Sequence, residues 1–565
     1  MTYYTLSRDP ERGRHILVNI RFATYGAGRL ALELPNWRPG RYELANYARN
    51  VVGFSAKTLD GQALSYTKNS RLVWEIETEG AKEIAVSYSY YANQPDAGAC
   101  WVDDDLFYVN PVNCLMYTAA SRSHNCSMEL QLKAGEQIAT GMKRTSTGFL
   151  AEDFDELVDC PLLCSEHLQH HAFQVDDVAY HLWFYGINEI PWEQVTRDFI
   201  AFTKVQHRCM GELPVKEFHY LNLILPFKFY HGVEHRNSTV IALGPAIDVF
   251  TNLYSELLGV SSHELFHSWN VKYIKPAEFT PYDYSRENYS PLGYVYEGFT
   301  TYYGDLFLHK SGVLDWPAYA REVNAYLKRH FDNYGRYNHS LHESSIDTWV
   351  DGYGGPAAPN RRVSIYAEGM LNAMILDLSI RQNTNNEHSL DDLMRALYAD
   401  AKAGKTYNEA SILAHLHKLT GQNYRYSFEK HYHKPISLEL ELNRALSFVG
   451  CCLVARIHPD PIAAWLGVMG TDADGWRTIT AIAPGSPAAK AGLMVEDKFS
   501  LENHTTKADW KEGESTELVW VNRLQRQQKA RVTHNETSYF TSYVLERSKS
   551  ISSEQQAAFE RWTQC

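Results

Sequence analysis

Up to about residue 186 the chain alternates apolar and polar positions in short runs, as over residues 15–22 and 84–91, broken by Gly, Pro, Asn and Asp. Alternation with a period of two predicts strands with one buried face, so this stretch reads as a β-rich, sandwich-like domain. A run whose apolar residues recur at three and four follows over 192–205, then a strand-like run over 220–225. From about 250 to 430 the helical period dominates, predicting helices at 253–270, 294–310, 316–333, 366–381 and 390–401. Lys434-Pro435 reads as a turn, after which a last β-rich portion begins. The pattern is multidomain α+β: 1–186 β-rich, 187–435 mostly helical, 436–565 β-rich again.

Composition narrows the choices. Of 565 residues 44% are hydrophobic and 21% charged, the balance of a folded chain with a sizeable core. Acidic residues outnumber basic ones, 67 to 54, so a phosphate backbone would meet net negative charge, and nucleic acid is not an expected partner. No run approaches the roughly 18 apolar residues of a membrane span, and the first ten residues lack a basic segment leading into an apolar one. Nine dispersed cysteines read as free thiols. These features predict a cytoplasmic protein with no membrane partner.

The chemistry concentrates in His263-Glu264-Leu265-Phe266-His267, inside the 253–270 helical pattern. Residues four apart share a helix face, so both imidazoles can meet one Zn²⁺, with Glu264 beside it as a general base for water. A catalytic zinc takes a third protein ligand. Glu297, in an apolar helical setting downstream, is the choice, with Glu287, Glu278 and Glu256 as competitors. Thr301 and Asp305 are candidate partners that orient the ligands.

Between a strand-like run and this helix lies Gly232-Val-Glu-His-Arg-Asn-Ser-Thr239, suited to an edge strand that pairs with an extended substrate. Gly232, Arg236 and Asn237 are candidate substrate contacts, and Glu234 is a candidate ligand for a free α-ammonium group. Cys160, Cys164, His167, His170 and His171 suggest a second metal, but the alternation of His170, His171, Phe173 and Val175 fits a strand better.

Six ordered stretches together resemble the glycyl aminopeptidase family of zinc metallopeptidases, relatives of aminopeptidase N that carry a C-terminal PDZ domain. They are Leu34-Pro-Asn-Trp-Arg-Pro-Gly-Arg-Tyr42, the Gly232 run, His263-Glu-Leu-Phe-His267 with its continuation to Val271, Glu297-Gly-Phe-Thr-Thr-Tyr-Tyr-Gly-Asp305, the segment around Tyr366, and Gly485-Ser-Pro-Ala-Ala-Lys-Ala-Gly-Leu493. The resemblance implies a thermolysin-like catalytic domain holding one Zn²⁺ on His263, His267 and Glu297. It further implies Glu264 as general base, Glu234 as reader of the amine, Tyr366 as hydrogen-bond donor to the oxyanion, and removal of N-terminal glycine or alanine from peptides. Where relatives commonly carry lysine two residues after that tyrosine, this chain has Glu368. In the PDZ-like portion Leu466, Gly467 and Val468 are the candidate loop for a peptide C-terminus. Two rival readings use the same residues: a zinc endopeptidase in which Glu234 is structural, and an inactive scaffold in which the PDZ-like module binds peptides.

Overall fold

Alternation becomes sheet where it was expected: in the strand His15–Ala23 the side chains of Ile16, Val18, Ile20 and Phe22 all turn into the core. The structure is a computed structural model that describes residues 1–352, 357–501, 513, 515–533 and 537–564. Among these residues the N-terminal region is β-rich and the middle is helical.

Two units make up the fold. The first comprises Met1–Ser290, Tyr303–Val313 and Met394–Asn408. Its largest sheet has seven strands, with Thr2–Arg8 at the centre, antiparallel to His15–Ala23 and parallel to Cys126–Gln131. Sheets of three and four strands accompany it. A mixed five-stranded sheet runs in the order Gln169–Val175, Val178–Tyr185, Glu217–Ile224, Ser238–Gly244, Phe229–Glu234, so strands on both sides of residue 186 share it. Phe229–Glu234 is therefore an edge strand, paired on one side only, with Glu234 opposite Thr239. The helix Trp192–Met210 buries Val195, Phe199, Phe202, Val205 and Cys209, a stripe at spacings of three and four. The helix Tyr254–Phe266 packs on the edge strand and its neighbour.

The second unit comprises Pro291–Tyr302, Leu314–Leu393 and Glu409–Cys565. Its central helix, Ala367–Asn383, is buried on nearly every side, as a helix without a polar face must be. It packs against a wide π-type turn, Tyr294–Phe299, which continues as the α-helix Thr300–Lys310. Two glycines set that contact: a Cβ on Gly298 would lie 2.5 Å from Gly369 Cα, so neither position has room for a side chain. Local signals start the flanking helices. Asp315 caps Trp316–Phe331 by accepting from Ala318 N at 2.8 Å, and Ser340 with Glu343 forms a capping box on Leu341–Asp351.

Beyond the helices, Cys451–Arg456 pairs with Ser542–Arg547. A five-stranded antiparallel sheet runs from Val468–Ala473 to Gln527–Thr533 around its own apolar core of Ile462, Leu466, Ile479, Phe499 and Trp520. No described helix is long and apolar enough to cross a membrane.

Candidate metal and substrate site

The helix Tyr254–Phe266 ends at His267, shorter than the expected 253–270, because the chain turns back on the histidine ring: His267 Nδ1–H donates to Asn270 O at 2.7 Å. That bond fixes the tautomer. A carbonyl only accepts, so Nδ1 carries the proton and Nε2 keeps its lone pair. The Nε2 atom faces His263 Nε2 at 3.0 Å, and the ligand atoms of His263, His267 and Glu297 all lie within 4.8 Å of one another. Two imidazole nitrogens and a carboxylate oxygen, all converging, fit a zinc ion in donor type and number.

Several packing contacts hold the helix in place. Gln206 Nε2 donates to Ser262 O at 2.8 Å, Ser262 Oγ donates to Gly304 O at 2.8 Å, and Phe266 packs on the rings of Tyr303 and Phe307. Gly304 leaves just enough space for His263, whose Cβ would be 3.3 Å from a methyl group there. For His267 the orienting partner is the Asn270 carbonyl. Asp305 lies beside Gly259, one turn before His263.

Glu264 is only 5% exposed, with its carboxylate against the edge strand; a Cβ on Gly232 would sit 2.3 Å from Oε1. Glu234 lies two residues further along, on the same strand face, so its Cα is roughly 7 Å beyond that of Gly232. Its carboxylate is buried, at 7% exposure, against Gly40, whose φ is +76° and where a Cβ would meet Oε2 at 2.4 Å. The Leu34–Tyr42 stretch thus reaches Glu234 through its one glycine, a relation that spacing in the sequence does not reveal.

Arg236 and Asn237 turn elsewhere. The Arg236 guanidinium donates to Tyr273 Oη at 3.2 and 3.3 Å, and Asn237 Nδ2 donates to Gly141 O at 2.6 Å. Both line a cavity of about 620 Å³ whose walls include neither Glu234 nor Glu264.

That cavity also holds the second cluster of ligand-type residues, His181, Glu217 and His219. Cys160 and Cys164 are buried thiols, of which only Cys160 lines the cavity, and His170 lies in the strand Gln169–Val175, as its alternation predicted. The rings of His170, His181 and His219 stack across neighbouring strands, and burial holds His181 neutral, its pKa lowered to about 4. The indole N–H of Trp183 donates to His219 Nδ1 at 3.2 Å, which puts the imidazole proton on Nε2. Nε2 therefore faces Glu217 Oε1, 3.9 Å away, as a donor and not as a metal-binding lone pair.

In the second unit, Tyr366 stands at the N-terminus of the helix Ala367–Asn383, half-buried, three residues before the glycine that meets Gly298. Glu368 turns inward: its carboxylate accepts from His330 Nδ1 at 2.5 Å, and His330 Nε2 accepts from Leu438 N at 3.2 Å. The charge that departs from the usual lysine is therefore taken up within the helical packing of this unit. In the C-terminal sheet Leu466 and Val468 are buried, and Gly467 is left-handed with its N–H donating to Ile462 O.

The profile of the Peptidase M61 N-terminal domain matches residues 3–166, and that of M61 glycyl aminopeptidase matches residues 256–372. No curated protein matches the chain. Among solved structures, an aminopeptidase N family protein from Idiomarina loihiensis is similar over 100% of both chains, with a TM-score of 0.91 at 24% identity, a likeness of fold. A mutant M1 zinc metallopeptidase from Deinococcus radiodurans, bound to a Tyr-Ser-Ala substrate, matches 77% of this chain and 94% of its own with a TM-score of 0.47 at 14% identity.

Proposed function

Because profiles of the M61 glycyl aminopeptidase family match residues 3–166 and 256–372 and the chain is an aminopeptidase, we propose that it removes one small residue, glycine or alanine, from the free N-terminus of peptides, using a zinc ion held by His263, His267 and Glu297. The observation that carries this reading is the shared strand face of Gly232 and Glu234, with Glu264 at one end and the amine reader at the other. An amino acid's nitrogen and carbonyl carbon are about 2.5 Å apart. With a contact at each end, one residue fits the roughly 7 Å step along the strand, and a longer segment does not.

A zinc ion, when bound, supplies Lewis acidity to a water and to the scissile carbonyl. The residues of the chain do the rest. Glu264 takes the proton of the attacking water and returns it to the leaving amine, which its low exposure favours by removing competing solvent. Glu234 pairs with the α-ammonium, and its burial strengthens that charge contact. Tyr366 donates its phenolic proton in a hydrogen bond to the developing oxyanion. The edge strand Phe229–Glu234 offers its unpaired backbone side to the extended substrate.

For the C-terminal PDZ-like module we propose a packing role, since the Gly467 N–H that a peptide carboxylate would need already serves Ile462. The test of the main reading is hydrolysis of matched peptides led by Gly, Ala, Leu, Lys or Asp, each free and N-acetylated, by zinc-loaded protein. The expected result is cleavage of free-amine peptides only, fastest for Gly or Ala. Equal cleavage of the acetylated set would make the protein an endopeptidase with Glu234 structural.

A further inference from the structure

Asp159 follows the short helix Phe154–Val158 and stands 75 residues before Glu234, in a stretch where neither periodicity nor motif marks it. Its carboxylate gathers donors from two distant segments. Oδ1 accepts from His235 Nδ1 at 3.0 Å and from Lys272 Nζ at 2.9 Å, and Oδ2 accepts from the backbone N–H of Arg236 at 3.0 Å. Burial acts to raise its pKa, but the Lys272 ammonium and the His235 ring outweigh it and hold the carboxyl well below the usual range.

The donors matter because of where they sit. His235 and Arg236 are the two residues after Glu234, which is itself the last residue of the edge strand. The chain reverses there, with His235 N donating to Ser238 O at 2.9 Å. A strand's terminal residue lacks a following ladder partner to hold its side chain in one place. Asp159 supplies that hold by fixing the ring of one turn residue and the backbone of the next. Lys272 lies five residues beyond His267, and its backbone N–H donates to His267 O at 3.1 Å. The same carboxylate therefore ties the turn after Glu234 to the segment after the histidine helix. The side chains of Lys272 and His235 are 4% and 5% exposed, so neither has water to replace Asp159 as a partner.

We propose that Asp159 is a positioning residue for substrate: it fixes the Glu234 carboxylate, through His235 and Arg236, in register with the His263–His267 helix, through Lys272. The inference rests on the reading of Glu234 as the amine-binding group.

Asp159→Asn keeps the shape and one acceptor oxygen but strands the buried Lys272 charge, which alone can unfold a protein. The double variant Asp159→Asn/Lys272→Met removes that charge as well. Both are compared with Glu234→Gln and the parent chain for kcat and KM on a Gly-led peptide with a free amine, together with zinc content and Tm. The expected result is a KM raised about tenfold or more in the double variant, with kcat within threefold of the parent and zinc content unchanged. A buried ion pair serving stability alone would lower Tm and leave KM where it was. Unchanged KM in a double variant that folds overturns the proposal if Glu234→Gln raises KM. If Glu234→Gln also leaves KM unchanged, the amine-binding reading itself fails and takes the positioning role with it.

Discussion

Replacing Gly232 with alanine adds one methyl group at the point where the edge strand meets the proposed general base. A Cβ there would lie 2.3 Å from Glu264 Oε1, 3.0 Å from its Cδ and 2.7 Å from Val260 Cγ2. Gly232 does not have a positive φ, so alanine carries no backbone penalty and the effect is steric. An ordinary carbon–oxygen contact needs about 3.4 Å, so the carboxylate must retreat by about 1 Å. The helix cannot retreat with it, because Ser262 is bonded to Gln206 and Gly304 and Phe266 is held between rings. The displacement therefore falls on the Glu264 side chain. A shift of about 1 Å at a reacting group costs on the order of 100-fold in rate, or about 2.7 kcal/mol of barrier. Overpacking costs about 1–3 kcal/mol of stability, offset in part by about 0.5–1 kcal/mol from replacing glycine in a strand. The assay is kcat on a Gly-led peptide with zinc content and Tm measured on the same preparation, and Gly28→Ala, which would meet nothing within 4 Å, serves as the control. The expected result is a kcat lower by about 30- to 100-fold with zinc retained and a control at the parent rate. A Gly232→Ala enzyme with zinc bound and kcat within threefold of the parent would refute the placement of Glu264 as the base.

Two further outcomes follow from the same geometry. Glu264→Gln should keep zinc, because the ligands are untouched, yet lose about 1,000-fold or more in kcat, read by metal analysis beside turnover. On acidification, His181 and His231, both held neutral by burial with pKa values lowered to about 4, take up protons more readily when unfolded, where the value is about 6.5. Their contribution to stability is complete above about pH 6.5 and is lost as pH falls toward 4, so Tm should drop across that window, and His181→Asn should make the slope shallower.

Much of the site was legible because its logic is local. A spacing of four on one helix face puts His263 and His267 side by side whatever surrounds them, and Glu264 follows by adjacency. Glu297 was harder: it emerged as one of four carboxylates, and what distinguishes it is the wide turn Tyr294–Phe299 and the Gly298–Gly369 contact, neither of which has a periodic signature. The expected helix at 366–381 begins one residue later, leaving Tyr366 at its N-terminus, where helix ends routinely shift by a residue or two. Arg236 and Asn237 looked like substrate contacts because they adjoin Glu234, but the turn at 235–237 sends them to Tyr273 and Gly141.

By itself the sequence determined the order of β-rich and helical regions and the histidine pair with its glutamate, because each depends on a period or spacing within a few residues. Of the edge strand expected over 232–239, only the part to Glu234 lies at the edge, the chain turning there into the inner strand Ser238–Gly244. Only the tertiary structure decided that Gly40 backs Glu234, that Glu368 turns to His330, that Asn270 sets the His267 tautomer, and that Asp159 joins Glu234's turn to the segment after the histidine helix. All but the Asn270 bond link residues that lie dozens to hundreds of positions apart, and the Asn270 bond needs a chain reversal that helical periodicity does not anticipate. Such contacts are fixed by which sheets and helices close on one another, and no local pattern of apolar and polar residues encodes that.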